Sequence, residues 1–189
     1  SRLWDALQTL RAVKTPGELA CMRRASAVTA EGHLAVMAAA RPGLREYEIQ
    51  AEFERVCRAR GLRHMAYPPI VGTGPNAAVL HYHKNDALLK AGDLLLVDAG
   101  GECCGYAADV TRTFPVSGRF TRRQRDVYAV ALEAQKTCID RARAGVLSGD
   151  LHLLSMRIVA EGLKSLKLLK GETDGLVMSG AVRLFYPHG

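Results

Sequence analysis

The chain has 189 residues and a net charge of +7, with 48% hydrophobic and 24% charged residues. That composition is typical of a globular protein with a sizeable core, and no apolar run reaches the roughly 18 residues that a membrane span needs. The five cysteines are odd in number and match neither a zinc pattern nor a secreted disulfide framework. We therefore expect reduced thiols in an intracellular compartment, either cytoplasmic or mitochondrial.

The positive charge is spread along the chain, with small clusters at Arg122-Arg123-Arg125 and Lys164-Lys167-Lys170. Clusters at helical spacing usually form a solvated helix face, whereas a nucleic-acid partner requires a continuous basic surface. The pattern favours the solvated face, and we expect neither a nucleic acid nor a membrane as partner.

The first half of the chain predicts two helices followed by strands. After a lead-in segment, residues 1–14, the sequence Thr15-Pro16-Gly17-Glu18 has the cap, the N1 proline and the N3 glutamate of a helix start. This helix should end near Ala40, and a second should cover residues 46–60 and stop at a glycine. Short strands are predicted next, at residues 70–71 and 79–82.

An acidic hairpin is the most informative feature of the sequence. A buried strand over residues 94–98 ends in Asp98, a Gly-rich reversal follows, and the returning strand contains Asp109. Both aspartates are equally distant from Cys103-Cys104, so a regular hairpin would place them face to face with Cβ atoms roughly 5 Å apart. Two carboxylates this close repel each other, and a divalent metal ion bound between them would relieve that repulsion. Alternatively, each aspartate is a turn residue or is satisfied by Arg112 or backbone donors.

The second half repeats this order of elements. Thr121 and Gln124 form a capping box for a helix that should reach about Ala144, and another helix should begin near Ser148. Residues 184–186 are predicted to begin a strand. Two helices and a sheet, followed by two helices and a first strand, indicate internal two-fold pseudo-symmetry.

Residues 67–121 strongly resemble the aminopeptidase P branch of the metallopeptidases that share the creatinase and methionine aminopeptidase fold. The resemblance depends on the order and spacing of several motifs, and it continues more loosely over most of the chain. The matching motifs are Ile70-Val71-Gly72-Thr73-Gly74, Leu80-His81-Tyr82, Val97-Asp98-Ala99-Gly100, Asp109-Val110-Thr111-Arg112-Thr113-Phe114-Pro115-Val116 and Gly118-Arg119-Phe120-Thr121.

This resemblance implies an α+β, pita-bread fold with an incomplete second half, in which residues 15–189 form a partial catalytic domain. It also implies an Xaa-Pro metalloaminopeptidase, which removes the N-terminal residue of a peptide with proline at the second position. Two divalent metal ions, Mn(II) by resemblance, would bridge the attacking hydroxide. Methionine aminopeptidase and prolidase are the neighbouring alternatives.

The resemblance also assigns roles to individual residues. Asp98 and Asp109 match metal ligands, with Asp109 bridging both ions. His81 matches a histidine that steadies the substrate or the tetrahedral intermediate, and Tyr67 matches a tyrosine near the same pocket. His188 matches a histidine that contacts substrate. The remaining histidines match nothing and are expected to be surface or packing residues: His33, His64, His83 and His152.

Three of the family's five metal ligands have no counterpart in the sequence. The chain is then a fragment of a longer protein, a chain whose sheet is completed by a partner chain or a second copy, or a non-catalytic member. The last alternative would bind a protein or ribonucleoprotein partner without chemistry.

Overall fold

The computed structural model describes residues 2–187, and it divides into two compact units with the boundary between Arg119 and Phe120. Each unit is described separately below. The first combines helices with a small antiparallel sheet, and the described part of the second is helical. None of the helices within residues 2–187 has both the length and the apolar character needed to cross a bilayer.

Three helices open the first unit: α1 (Arg2–Ala12), α2 (Pro16–Ala39) and α3 (Glu46–Ala59). The predicted capping box of α2 is confirmed, since the Thr15 hydroxyl accepts from the Glu18 N–H and the Glu18 carboxylate accepts from the Thr15 N–H at 2.6 Å. Helix α1 buries no residue. The proposed division into a lead-in segment, residues 1–14, and a catalytic domain stays a prediction.

The core of the first unit lies between α2, α3 and one face of a sheet. On α3, the predicted apolar face is buried through Ile49, Phe53 and Cys57. Gly32 of α2 lets the Phe53 ring approach, because a Cβ at Gly32 would lie 2.7 Å from that ring. Burial of such side chains stabilises the fold by roughly 1.5–3 kcal/mol each.

The sheet is antiparallel, with β2 (Leu94–Asp98) between β1 (Ile70–Thr73) and β5 (Thr111–Pro115). Because strand side chains alternate between faces, Leu95 and Val97 are fully buried on the helix-covered face. Asp98 lies on the other face and is half-buried. A second ladder joins two short strands that continue the same hairpin: β3 (Glu102–Cys103) and β4 (Tyr106–Ala107).

The strand predicted at residues 79–82 is wrong. A 3-10 helix over Gly74–Ala78 follows β1, and an irregular segment runs from there to residue 87. Val79 and Leu80, which suggested a strand, are exposed at 53% and 58%. The segment is held by side-chain hydrogen bonds to the buried Glu46, described below, so its backbone has no need of a ladder.

The described part of the second unit contains α4 (Arg122–Arg141), α5 (Ser148–Ser165), α6 (Thr173–Met178) and a 3-10 helix (Ala181–Leu184). The predicted capping box of Thr121 and Gln124 is confirmed. Helices α4 and α5 pack together at Gly162, where a Cβ would lie 2.4 Å from the Val130 side chain. A second apolar core contains Met156, Ala160, Val177 and Val182.

The strand predicted to begin at residue 184 is also wrong. Leu184 instead ends a 3-10 helix that begins after Gly180, whose φ of +75° turns the chain, and residues 185–186 follow without regular structure. This 3-10 helix buries Val182 completely. A strand at this position would need a neighbouring strand to satisfy its backbone, and residues 120–187 contain none.

Candidate metal centre

The centre of the hairpin turn lies one residue from the predicted position, which shifts the strand pairing by two residues. Cys104 and Gly105 form its two-residue turn, with φ of +53° and +83°, which is the positive-φ pair of a type I′ turn. The turn is therefore centred one residue beyond the position expected from the sequence. As a result, Asp98 is opposite Thr111 rather than Asp109, and the prediction of a directly facing aspartate pair is wrong.

The two aspartates nevertheless converge, as diagonal neighbours on one face of the hairpin. Asp98 closes β2, and Asp109 lies two residues before the partner of Asp98. Diagonal neighbours are within reach of a longer side chain. The Tyr67 hydroxyl lies 2.5 Å from Asp98 Oδ1 and 3.0 Å from Asp109 Oδ1. The structure thus brings together Tyr67, Asp98 and Asp109.

This arrangement has more acceptors than donors. One phenolic proton is shared between two carboxylate oxygens, and Tyr67 is the one hydrogen-bond donor to either side chain within residues 2–187. Partial burial, with the two carboxylates next in importance, raises the pKa of Tyr67 far above its usual range, so the hydroxyl stays protonated. Two hard oxygen ligands that share a single proton fit a divalent cation, which would relieve their repulsion.

Arg112 does not supply the missing charge. Its Nη1 donates to the backbone oxygen of Thr111 at 2.8 Å, and within residues 2–187 it forms no ion pair with an acid. The register places it opposite Val97, one position out of phase with Asp98. The alternative in which Arg112 neutralises the aspartates is therefore wrong.

His81 is exposed, in the turn that follows the 3-10 helix. Its φ of +51° is the left-handed conformation, which is uncommon for residues other than glycine and which clusters at functional positions. No hydrogen bond among the described residues joins His81 to Asp98 or Asp109. His188 lies outside the described residues.

The loop that carries His81 is held by a fully buried acid, Glu46. One carboxylate oxygen accepts from the Thr73 N–H at 2.7 Å and from Asn76 Nδ2 at 3.1 Å. The other accepts from the Tyr82 hydroxyl at 2.8 Å and from the Ala87 N–H at 3.0 Å. Because Tyr82 directly follows His81, this network fixes the backbone next to the candidate substrate-binding histidine.

Asn85 fastens the same loop to the sheet. Its side chain accepts from the Val71 N–H at 3.0 Å and donates to the backbone oxygen of Pro69 and to Gln50 Oε1. Sequence reasoning missed both Glu46 and Asn85. Glu46 lies at the start of the predicted second helix, and a local pattern cannot show that the loop returns to it.

His33 is a packing residue next to the acidic hairpin. It is 3% exposed, its Nε2 lies 3.1 Å from the Ala99 backbone oxygen, and its ring meets Phe53 edge-on. Burial lowers its pKa, and its Nδ1 has no partner. The imidazole is thus neutral with the proton on Nε2. Its place on the buried face of α2, four residues after Thr29, is the signal that could have predicted this role.

The first unit thus combines a mixed sheet-and-helix fold with two aspartates that converge on the open face of its hairpin. The chain belongs to metallopeptidase family M24, whose family model matches residues 20–189. It is 41% identical over 180 residues to the Xaa-Pro aminopeptidase of Escherichia coli, and 42% identical over 189 residues to a probable Xaa-Pro aminopeptidase of Sordaria macrospora. These matches cover 95% and 100% of the chain.

The fold comparison agrees with the predicted pita-bread architecture. Zn-substituted E. coli aminopeptidase P in complex with product superposes with a TM-score of 0.90 at 41% identity, and the match covers 92% of this chain. The chain spans about two fifths of these relatives: 41% and 40% of the two sequences and 40% of the solved chain. The comparisons confirm the family and the fold and give no support to the alternative of a non-catalytic binding protein.

Proposed function

We propose that the chain contributes to a metal-dependent aminopeptidase that removes the N-terminal residue preceding proline. The observation that carries the proposal is the convergence of Asp98 and Asp109 on one hydroxyl, on a face of the sheet left open by α2 and α3. The similarity to Xaa-Pro aminopeptidases supports the substrate class.

Asp98 and Asp109 would be among the residues that hold two divalent ions, and Mn(II) would suit their hard carboxylate oxygens. When bound, such ions activate a water for attack on a peptide carbonyl near neutral pH. The protein's part is to keep both carboxylates on one rigid hairpin. Asp98 is fixed by the β2 ladder, and Asp109 lies between two backbone hydrogen bonds of the same hairpin, from the Ala99 and Ala108 N–H groups.

Tyr67 would orient the carboxylates and contact the substrate from the edge of the site, with its hydroxyl kept protonated. His81 would donate a hydrogen bond to the negative charge that develops on the scissile carbonyl. The Glu46 network supports this role, because it fixes the backbone at Tyr82 while leaving the His81 side chain exposed. His188 is predicted to contact the substrate.

The test is hydrolysis of an Xaa-Pro peptide by the protein as its own gene encodes it, supplied with Mn(II). We expect release of the N-terminal residue, with loss of turnover in Asp109→Asn. A peptide with alanine in place of proline is the substrate control, and Arg112→Gln is the variant control. Equal cleavage of both peptides would contradict the Xaa-Pro assignment, and full activity in Asp109→Asn would contradict the metal site.

The compartment and partners stay predictions. All five cysteines are free thiols in the structure, which supports an intracellular, cytoplasmic or mitochondrial location. A partner chain or a second copy that completes the sheet is the further proposal on assembly, and the oligomeric state in solution tests it.

A further inference from the structure

Three cysteines from two elements meet at the tip of the hairpin between the two aspartates. Cys21 comes from α2, and Cys103 and Cys104 come from β3 and its turn. Their three sulfur atoms all lie within 4.8 Å of one another. The metallopeptidase chemistry proposed above uses none of them.

The separation of the sulfur atoms is close to what a metal requires. With metal–sulfur bonds of about 2.3 Å, three thiolates around one zinc ion are about 3.8 Å apart. Small side-chain rotations would close the difference, because Cys104 is exposed and the other two are half-buried. Soft thiolate ligands select Zn(II) and Cu(I) over the hard ions that carboxylates prefer.

Several contacts hold the hairpin and α2 in place around the sulfur atoms. The Tyr106 hydroxyl donates to Glu18 Oε1 at 2.5 Å, and the Gly101 N–H donates to Thr29 Oγ1 at 2.9 Å. These bonds join β4 and the start of β3 to α2 on both sides of Cys21. Partners of this kind orient the ligands of a metal site before the ion arrives.

The residue at the first position of the hairpin turn is not one that this type of turn favours. The first position of a type I′ turn normally carries Asn, Asp or Gly, since its φ is positive. Here the position is occupied by Cys104, at φ +53°. Cys104 therefore contributes a sulfur atom to the cluster although its positive φ is conformationally unfavourable for cysteine.

We propose that Cys21, Cys103 and Cys104 form a trithiolate site for one soft metal ion, Zn(II) or Cu(I), that ties the hairpin to α2. The fourth position of a zinc ion would be left to water, and Cu(I) would be satisfied by three sulfur atoms. Binding releases thiol protons, so affinity should rise with pH.

The experiment is titration of the reduced protein, as its gene encodes it, with Cd(II), followed by sulfur-to-metal charge-transfer absorption. Cd(II) is a spectroscopic substitute for Zn(II). We expect saturation of this band at one ion per chain. Separate titrations with Zn(II) and Cu(I) against competing chelators then distinguish the two biological ions.

Cys104→Asn is the decisive variant, because asparagine suits the turn and an unchanged melting temperature verifies the fold. We expect the Cd(II) affinity to fall by at least about 100-fold, beyond the loss typical of an outer-shell partner. Cys21→Ser should behave alike. Cys138→Ser, a half-buried cysteine of the second unit, is the matched control and should retain the band.

Asp109→Asn should also retain the band, which separates this proposal from the aminopeptidase proposal. A band that persists in Cys104→Asn, or one that disappears in Cys138→Ser, would overturn the trithiolate site. So would reduced protein that shows no charge-transfer absorption. A disulfide within the cluster, combined with absence of metal binding after reduction, would assign the three thiols to redox chemistry instead.

Discussion

The first unit contains one acid with many hydrogen-bond donors and a pair of acids with very few. Glu46 is fully buried and accepts hydrogen bonds from four donors, two from backbone N–H groups and two from side chains. Asp98 and Asp109 are more exposed, yet they share the single proton of Tyr67. A burial criterion alone would select Glu46 as the unusual acid.

This difference separates an acid that serves the fold from a pair of acids that are free to bind a ligand. A carboxylate that is satisfied by protein donors has no capacity left for a ligand, so Glu46 acts only on the fold. The aspartates keep lone pairs free on an open face, which is the condition for holding a cation. The count of donors per carboxylate is therefore more informative than burial.

The largest expected effect is that of Glu46→Ala on stability. The substitution would leave buried N–H and O–H groups without acceptors, each at a cost of roughly 1–3 kcal/mol, and we expect a total of about 3 kcal/mol or more. Urea denaturation measures it. Metal-free Asp109→Asn is the matched control and should be neutral or slightly stabilising, because it removes like-charge repulsion. Equal losses in both variants would mean that Asp109 supports the fold as much as Glu46 does.

Next in size is the effect of Asp98→Asn on catalysis by the Mn(II)-supplied protein. We expect kcat/KM on an Xaa-Pro peptide to fall by more than about 100-fold, since loss of a ligand exceeds the cost of losing an outer-shell partner. Metal content, measured on the same sample, should fall with it. Retained metal and activity would show that Asp98, like Glu46, serves only the fold.

Tyr67→Phe removes the proton that Asp98 and Asp109 share. Without metal we expect a loss of about 1 kcal/mol, typical of one hydrogen bond, because the two carboxylates then lack the donor that they share. Added Mn(II) should raise the melting temperature of this variant more than that of the wild type. Thermal denaturation with and without the ion measures both. A smaller metal-induced shift in the variant would mean that Tyr67 assists binding rather than replacing the cation.

The sequence predicted the four long helices, α2 to α5, because their signals are local, whereas α1 and α6 were not predicted. Capping boxes at Thr15 and Thr121 and the apolar spacing of α3 determine the helix starts and the buried face without knowledge of distant residues. The predicted strand at residues 79–82 was wrong, since the loop conformation depends on the distant Glu46. The strand predicted at residue 184 was wrong because pairing is non-local.

The candidate site could be predicted as a pair of residues but not as a geometry. The order of motifs identified Asp98 and Asp109, whereas their diagonal relation depends on which residues occupy the turn. A shift of one residue in the turn centre moved the partner of Asp98 to Thr111. Tyr67 was predicted by resemblance, and its bridging position became visible only in the folded chain.

The smallest expected effect is that of His33 on the pH dependence of stability. Its hydrogen bonding is intermediate between that of Glu46 and that of the aspartates. It is buried, but only Nε2 has a partner, so protonation would place a charge at an unpartnered Nδ1. Its folded-state pKa lies below the unfolded value of about 6.5. The unfolded chain therefore binds the proton first. This contribution to stability is complete above about pH 6.5 and is lost as pH falls through the folded pKa.

We expect the free energy of unfolding to decrease between pH 7 and pH 5 by no more than about 1.4 kcal/mol per pH unit from this group. His33→Gln should flatten that part of the profile, whereas the exposed His83, changed to Gln, should leave it intact. Urea denaturation across the pH range provides the measurement. An unchanged slope in His33→Gln would mean that the buried imidazole finds a partner for its second proton, and that it belongs with Glu46 among the satisfied groups.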